Sequence, residues 1–213
     1  MSFTTVCISS EDGAGAADAA RLAATSLGLR MIDEDIVTRA AQEAGVEREV
    51  VADVEARKSK LMRLLEGLGP AGMGTGYVVA DPAAFTQPAS NELQGLIKSV
   101  IEETAAAGGV MIVSHAASLA LAGRPGVLRV LLTASPETRS ARLSASLGID
   151  AGEAASRLKR SDAGRADYIK RFYGLSSELP IHYDLVVNTD RLSPEDAAGL
   201  IVAAAGEPAV PGA

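Results

Sequence analysis

Apolar and polar positions come in blocks along this chain, and the blocks repeat as strand, loop, helix. Val6-Cys7-Ile8 is a short apolar run entered through Thr4-Thr5, which predicts a buried strand. Ser9-Ser10-Glu11-Asp12-Gly13-Ala14-Gly15 is a polar loop with two glycines. Beyond it Ala16, Ala20, Ala23 and Leu27 fall at helical spacing, and Gly28 stops the helix. Residues 29–32 read as a second strand. Asp33 is placed as the N-cap of a helix over 34–44, with Glu34 and Asp35 in its dipole-favoured first turn. Gly45 ends that helix. Val50, Val54, Leu61, Leu65 and Leu68 then keep helical spacing, so 47–68 reads as one long amphipathic helix.

The pattern breaks over 69–89, where Gly69, Pro70, Gly72, Gly74, Gly76, Pro82 and Pro88 predict a flexible loop. Leu93, Leu96, Ile97, Val100 and Ile101 restore a helix that stops at Gly108-Gly109. Val110-Met111-Ile112-Val113 has no polar alternation and reads as a strand buried on both faces. Residues 128–132 make a fourth strand. Ser135-Pro136-Glu137 supplies an N-cap and an N1 proline for the next helix, and Asp150 to Glu153 resembles a capping box for another. Tyr183-Asp184 precedes a fifth strand over 185–187, and Ser193-Pro194-Glu195-Asp196 opens the last helix, which ends near Gly206. Strands that alternate with helices in this way predict a parallel sheet covered on both faces. One domain over 1–206 is expected, with a frayed tail over 207–213.

Composition narrows the function. A net charge of −7 over 213 residues argues against general binding of nucleic acid or anionic membrane. Cys7 is the one cysteine, so neither a disulfide framework nor a metal cluster is expected, and its strand makes it a core residue. The absence of a leader-like or spanning segment gives a cytoplasmic expectation. The charge is unevenly spread. Within 157–171, Arg157, Lys159, Arg160, Arg165, Lys170 and Arg171 face only Asp162 and Asp167, a local +4 that leaves −11 on the rest. Such a cluster suits a polyanion, with arginine fitted to bidentate phosphate contact; a solvated helix face is the plain alternative.

The loop after the first strand is the other candidate. Glycines let backbone approach an anion, and a following helix N-terminus offers free N–H groups. The phosphate-loop pattern ends in Gly-Lys-Ser/Thr, but Gly15 is followed by Ala16. The dinucleotide pattern needs a third glycine, and Asp18 stands there. An NAD-type reading, supported by Asp33 after the second strand, leaves the basic segment unexplained. His115, at the C-terminal end of the third strand, stands where open α/β sheets place ligands.

Taken together, six stretches resemble the cytidylate kinase-like branch of the P-loop nucleoside monophosphate kinases. They are 8–15, 31–33, 110–113, 128–142, 162–168 and 183–189, so the resemblance runs nearly from end to end. It implies a three-layer P-loop nucleoside-kinase-like fold of class α/β, with a five-stranded parallel sheet, helices on both faces and a helical lid over about 150–178. It implies ATP and Mg²⁺ as phosphoryl donor and a pyrimidine monophosphate, CMP or dCMP, as acceptor. Ser10, Gly13, Ala14, Gly15, Ala16 and Ala17 fall on the cofactor loop. Asp33, Arg39 and His115 fall on the acceptor side, Arg39 matching an arginine that holds the acceptor phosphate. Arg157, Arg160, Asp162 and Arg165 fall on the lid, with Asp162 expected to hold Arg160 and Arg165. Arg129 and Arg142 flank the fourth strand as weaker candidates.

The chain departs from the family pattern at three cationic places: Ala16 for the loop lysine, Ser10 for an arginine before the loop, and Ser114-His115 for a Gly-Arg pair. Transfer depends on cationic stabilisation of the moving phosphoryl group. A nucleotide-binding module without turnover is therefore the alternative, and the helix over 47–68 leaves a homodimer open.

Overall fold

The computed structural model describes residues 3–33, 35–44, 90–113 and 116–206. The expected helix over 47–68, the loop over 69–89, Ser114, His115 and the tail over 207–213 lie outside the described residues. Five parallel strands make one sheet: β1 (Thr5–Ser10), β2 (Arg30–Ile32), β3 (Val110–Val113), β4 (Val127–Thr133) and β5 (Leu185–Asn188), in the order β2-β3-β1-β4-β5. In β1, Thr5 aligns with Val110 of β3 on one side and Val127 of β4 on the other. The chain thus leaves β1 toward one edge and later returns to its other side. That makes the C-terminal end of β1 a topological switch point, where open α/β sheets bind ligands.

Side-chain alternation assigns the two faces. Val6, Ile8, Met111, Val113, Leu128, Val130 and Leu132 form one core with helices α1 (Ala16–Leu27) and α7 (Pro194–Ala205). Ala19, Ala20 and Ala23 of α1 and Ala197 and Ile201 of α7 are nearly or fully buried there. Small side chains let both helices lie close to the sheet, which is why so alanine-rich a chain builds a tight core. Cys7, Val110 and Ile112 point to the other face, under α2 (Asp35–Ala44), α3 (Ser90–Ala107) and the short α4 (Ala117–Ala120). Burial pushes the Cys7 thiol up to about 12, so it is an inert core group. The layers are therefore helix, sheet, helix.

The remaining helices, α5 (Pro136–Leu147) and α6 (Ala151–Tyr173), follow β4 and pack on each other. Their starts follow from sequence. The Ser135 hydroxyl accepts from the Thr138 N–H at 3.3 Å, with Pro136 in the first turn, and Asp150 accepts from the Glu153 N–H at 2.9 Å. The adjustments at strand ends are small: β1 takes in Ser9 and Ser10 from the expected loop, β2 starts at Arg30 rather than Leu29, β4 gains Val127 and Thr133, and β5 gains Asn188.

The entry to β5 is fixed by an ion pair. Asp184 accepts from Arg129 Nε at 3.0 Å, Nη2 at 2.7 Å and the backbone N–H at 2.9 Å. The Arg129 side-chain bond is the largest cause holding the Asp184 carboxyl below its ordinary 3.8. A carboxyl depressed in the folded state stabilises above its unfolded pKa, and that contribution is lost as pH falls through the folded value. Asp184→Asn is therefore expected to lower the urea midpoint at pH 7 and to flatten its decline below about pH 4. Equal acid slopes for the variant and the parent would remove this pair from the acid limb.

Candidate phosphate-binding site

The loop after β1 is built by backbone. The Glu11 N–H donates to the Leu132 carbonyl at 3.3 Å and the Ala14 N–H to the Glu11 carbonyl at 3.0 Å, closing a turn at the switch point. Gly13 and Gly15 both sit in the left-handed region, at φ 78° and 76°. Gly13 has a second constraint, since a Cβ there would lie 2.6 Å from the Arg139 carbonyl oxygen. Gly15 has room, its hypothetical Cβ meeting only Arg142 Nη1, at 3.7 Å. Gly15 is also the N-cap of α1 and supplies no side-chain cap. The first N–H groups of a helix lack intrahelical partners. In α5, α6 and α7 a Ser or Asp cap satisfies one of them, whereas the donors of α1 at Ala16 and Ala17 face a cleft.

That cleft has a volume of about 490 Å³ and runs from Ser10 to Asp18 along the loop. Arg142, Leu143 and Ser146 of α5 form one wall, and Thr189, Leu192 and Pro194 another. Arg142 ties the walls together. Its Nη2 donates to the Thr189 carbonyl at 2.6 Å, and its Nη1 to the Thr189 hydroxyl at 2.9 Å and the Gly13 carbonyl at 3.4 Å. The Thr189 hydroxyl in turn donates to the Ala14 carbonyl at 2.8 Å. Backbone donors at one end and apolar walls with few fixed polar groups at the other suit a phosphorylated ligand with a flat organic part.

Beneath the loop lies a cation that sequence reading missed. The Arg139 side chain is 4% exposed. Its Nε donates to the Asp12 carbonyl at 2.7 Å, and its Nη1 and Nη2 to the Asp162 carboxylate at 3.2 and 2.5 Å. Glu11 Oε1 is 3.8 Å from Nη1. Burial alone would lower its pKa, but the Asp162 bond and the charges of Glu11, Asp162 and Asp12 outweigh it, so the guanidinium is held charged. Ser161 adds a hydroxyl bond to the Asp12 carboxylate at 2.6 Å. The loop and α6 are thus latched together through Asp12, Arg139, Ser161 and Asp162.

The expected lid residues all lie on α6, in different surroundings. Asp162 holds Arg139, and not Arg160 and Arg165 as expected. Arg160 donates to Ser156 at 2.7 Å, one turn back. Arg165 donates to Glu178 at 2.5 and 2.8 Å. The reason for the correction is helical geometry: residues 160 and 162 point to different sides of a helix, and Arg165 is taken by the chain returning after Gly174. Arg157 is exposed on α6.

On the acceptor side Asp33 follows the end of β2. It stands two strands from the loop, about 10 Å across the sheet. Arg39 is turned away from the loop toward α3. It donates to Thr104 at 3.1 Å and Glu103 at 2.9 Å, near Ala105, whose carbonyl accepts from Thr5 at the start of β1. The structure therefore gathers Ser10, Gly13, Ala14, Gly15, Ala16, Ala17 and Asp162, and does not bring Arg39 to them.

The donor set, the backbone N–H groups at the uncapped start of α1, suits an anion. Ala16 and Ala17 offer neither amine nor hydroxyl, and no cluster of three metal-ligating side chains occurs among the described residues. A magnesium ion would come on the phosphates of the nucleotide.

Comparison with known proteins bears on the family and the fold. The model of the Cytidylate kinase-like family matches residues 5–191. No curated protein matches the chain. An uncharacterized protein from Eubacterium ventriosum shares the fold at 14% identity and TM-score 0.65, over 94% of this chain and 97% of that one. TT1252 from Thermus thermophilus does so at 17% identity and TM-score 0.50, over 95% and 96%. No helix among the described residues is long and apolar enough to cross a membrane.

Proposed function

Since this chain belongs to the cytidylate kinase-like family, we propose that it transfers a phosphoryl group from ATP to a pyrimidine nucleoside monophosphate, CMP or dCMP. The observation that carries the reading is the loop from Ser10 to Ala17, at the switch point of a β2-β3-β1-β4-β5 sheet, opening into a cleft of about 490 Å³. In this reading the ATP phosphates meet the backbone donors of Gly15, Ala16 and Ala17, and the base lies along Leu143, Leu192 and Pro194. The acceptor enters from the side of Asp33, past the end of β2. Arg165 approaches the transferring group from α6, which serves as lid, and Arg157 and Arg160 add positive charge on the other side of that helix. ATP supplies the phosphoryl group, and the loop and lid supply its positioning and charge stabilisation.

One observation favours a second reading, binding without turnover. Arg139, the cation nearest the loop, is consumed by Asp162 and Glu11, and Ala16 leaves the lysine place neutral. Loss of one such donor costs roughly 3 kcal/mol, about a hundredfold in rate. Two variants test the reading. Gly15→Val crowds the backbone approach where there is room for the side chain. It is expected to weaken ATP binding at least tenfold by calorimetry, while the conformational strain costs only about 1–2 kcal/mol of stability. Ala16→Lys is expected to raise the rate of CDP formation from CMP about tenfold or more. Unchanged ATP affinity in the first variant would move the nucleotide elsewhere. A flat rate in the second would show that missing charge at Ala16 is not what limits transfer.

A further inference from the structure

The structure gives one lid arginine a mounting that the reading above does not use. Arg165 is 25% exposed and Glu178 15% exposed, and the pair is bidentate through Arg165 Nε and Nη2. Among the described residues no hydrogen bond engages Nη1, so one end of the fork is left to donate elsewhere. Glu178 is itself fixed, because the Tyr183 hydroxyl donates to its Oε1. Burial and then the Glu178 carboxylate push the Tyr183 phenol up, so it stays a donor. The chain of contacts runs from Tyr183, just before β5, through Glu178 to Arg165 on α6. A cavity of about 270 Å³ opens beside it, with Glu11, Asp162, Arg165 and Glu178 on its walls. Glu11 also lines the loop cleft, so the two cavities meet at that residue.

We propose that Glu178 and Tyr183 are positioning residues, which hold Arg165 in one orientation so that its free end meets the phosphates of a nucleotide bound at the loop. The inference rests on the nucleotide-binding part of the reading above and names two residues that the sequence reading left out. A planar guanidinium gripped along one edge loses little further rotamer freedom when it binds phosphate. The grip also aims it, which a lone arginine on a solvated helix lacks. Net charge works the other way: a carboxylate beside a phosphate site repels it. The two effects give opposite signs for removal of Glu178, and that makes the inference testable.

The experiment is calorimetric titration of the full chain with ATP in Mg²⁺ buffer, with thermal melts run in parallel. Arg165→Ala is expected to weaken ATP about tenfold, the worth of one charge-assisted hydrogen bond. Glu178→Ala is expected to weaken it by a similar factor although it removes a negative charge, and Glu178→Gln to recover part of the loss. The double variant Glu178→Ala, Arg165→Ala should be no worse than Arg165→Ala, because Glu178 acts through that arginine. Tyr183→Phe removes one hydroxyl, keeps the ring, and should weaken ATP about threefold; it serves where Glu178→Ala folds poorly. Unchanged or tighter ATP binding in Glu178→Ala or Tyr183→Phe, or effects that add in the double variant, would overturn the inference. The acceptor reading fails separately. If CMP is not phosphorylated while these affinities hold, transfer is lost and the positioning stands. If CDP forms and the affinities do not follow the pattern, the reverse is true.

Discussion

Gly13→Val is expected to be the most damaging single change in the loop, costing about 2–5 kcal/mol of stability and abolishing nucleotide binding. Two terms add. A β-branched residue at φ 78° pays for the left-handed conformation, about 1–2 kcal/mol. A Cβ 2.6 Å from the Arg139 carbonyl oxygen, and 2.9 Å from its Cα, then meets backbone that cannot swing aside. Shifting α5 far enough to relieve a contact that short would disturb Arg139 and Arg142 together, at about 1–3 kcal/mol. Gly15→Val shares the first term and lacks the second. Urea denaturation of both variants checks the argument. The Gly13 variant should lose clearly more stability, and equal losses would show that the close approach of α5 contributes nothing.

Asp162→Ala is expected to cost about 2–3 kcal/mol, below the toll of breaking a wholly buried pair because Asp162 is half exposed. The penalty comes from Arg139, which stays charged and 4% exposed with only the Asp12 carbonyl and Glu11 at 3.8 Å to meet it. Ser161 would keep its bond to Asp12, but the strongest strut between loop and α6 would be gone. Amide hydrogen exchange should therefore quicken in the first half of α6 and in 10–17, and stay unchanged in α7. Exchange quickened evenly over the whole chain would mean global destabilisation and would count against a local latch.

The fold was largely legible in the sequence because its signals are local. The unbroken apolar run at 110–113 and the apolar positions 128 and 130–132, interrupted by Arg129, mark buried strands, and the Ser135, Asp150 and Ser193 caps carry their chemistry within three residues. The turn between β1 and α1 was legible for the same reason, since two glycines before an alanine helix mark a backbone turn. What was not legible is pairing across the chain. Arg139 reads as one more helical charge in Ser135-Pro136-Glu137-Thr138-Arg139, yet it reaches Asp162, 23 residues on. Sequence proximity gave Asp162 to Arg160 and Arg165, whereas the helix sends them to different neighbours. Arg39 looked free for a phosphate until α3 supplied Thr104 and Glu103 beside it. Charges are assigned by tertiary neighbours, and periodicity carries no record of them.

The central claim is phosphoryl transfer to a pyrimidine monophosphate. The direct measurement incubates the full chain and Mg²⁺ with γ-labelled ATP and, separately, CMP, dCMP, UMP, AMP, GMP or no acceptor, and resolves the labelled products. The account predicts label in CDP and dCDP ahead of every other nucleotide, with less released as free phosphate than in the acceptor-free control. Label in no nucleoside diphosphate, from a chain that binds ATP by calorimetry, would contradict it and leave a nucleotide-binding module on a kinase fold.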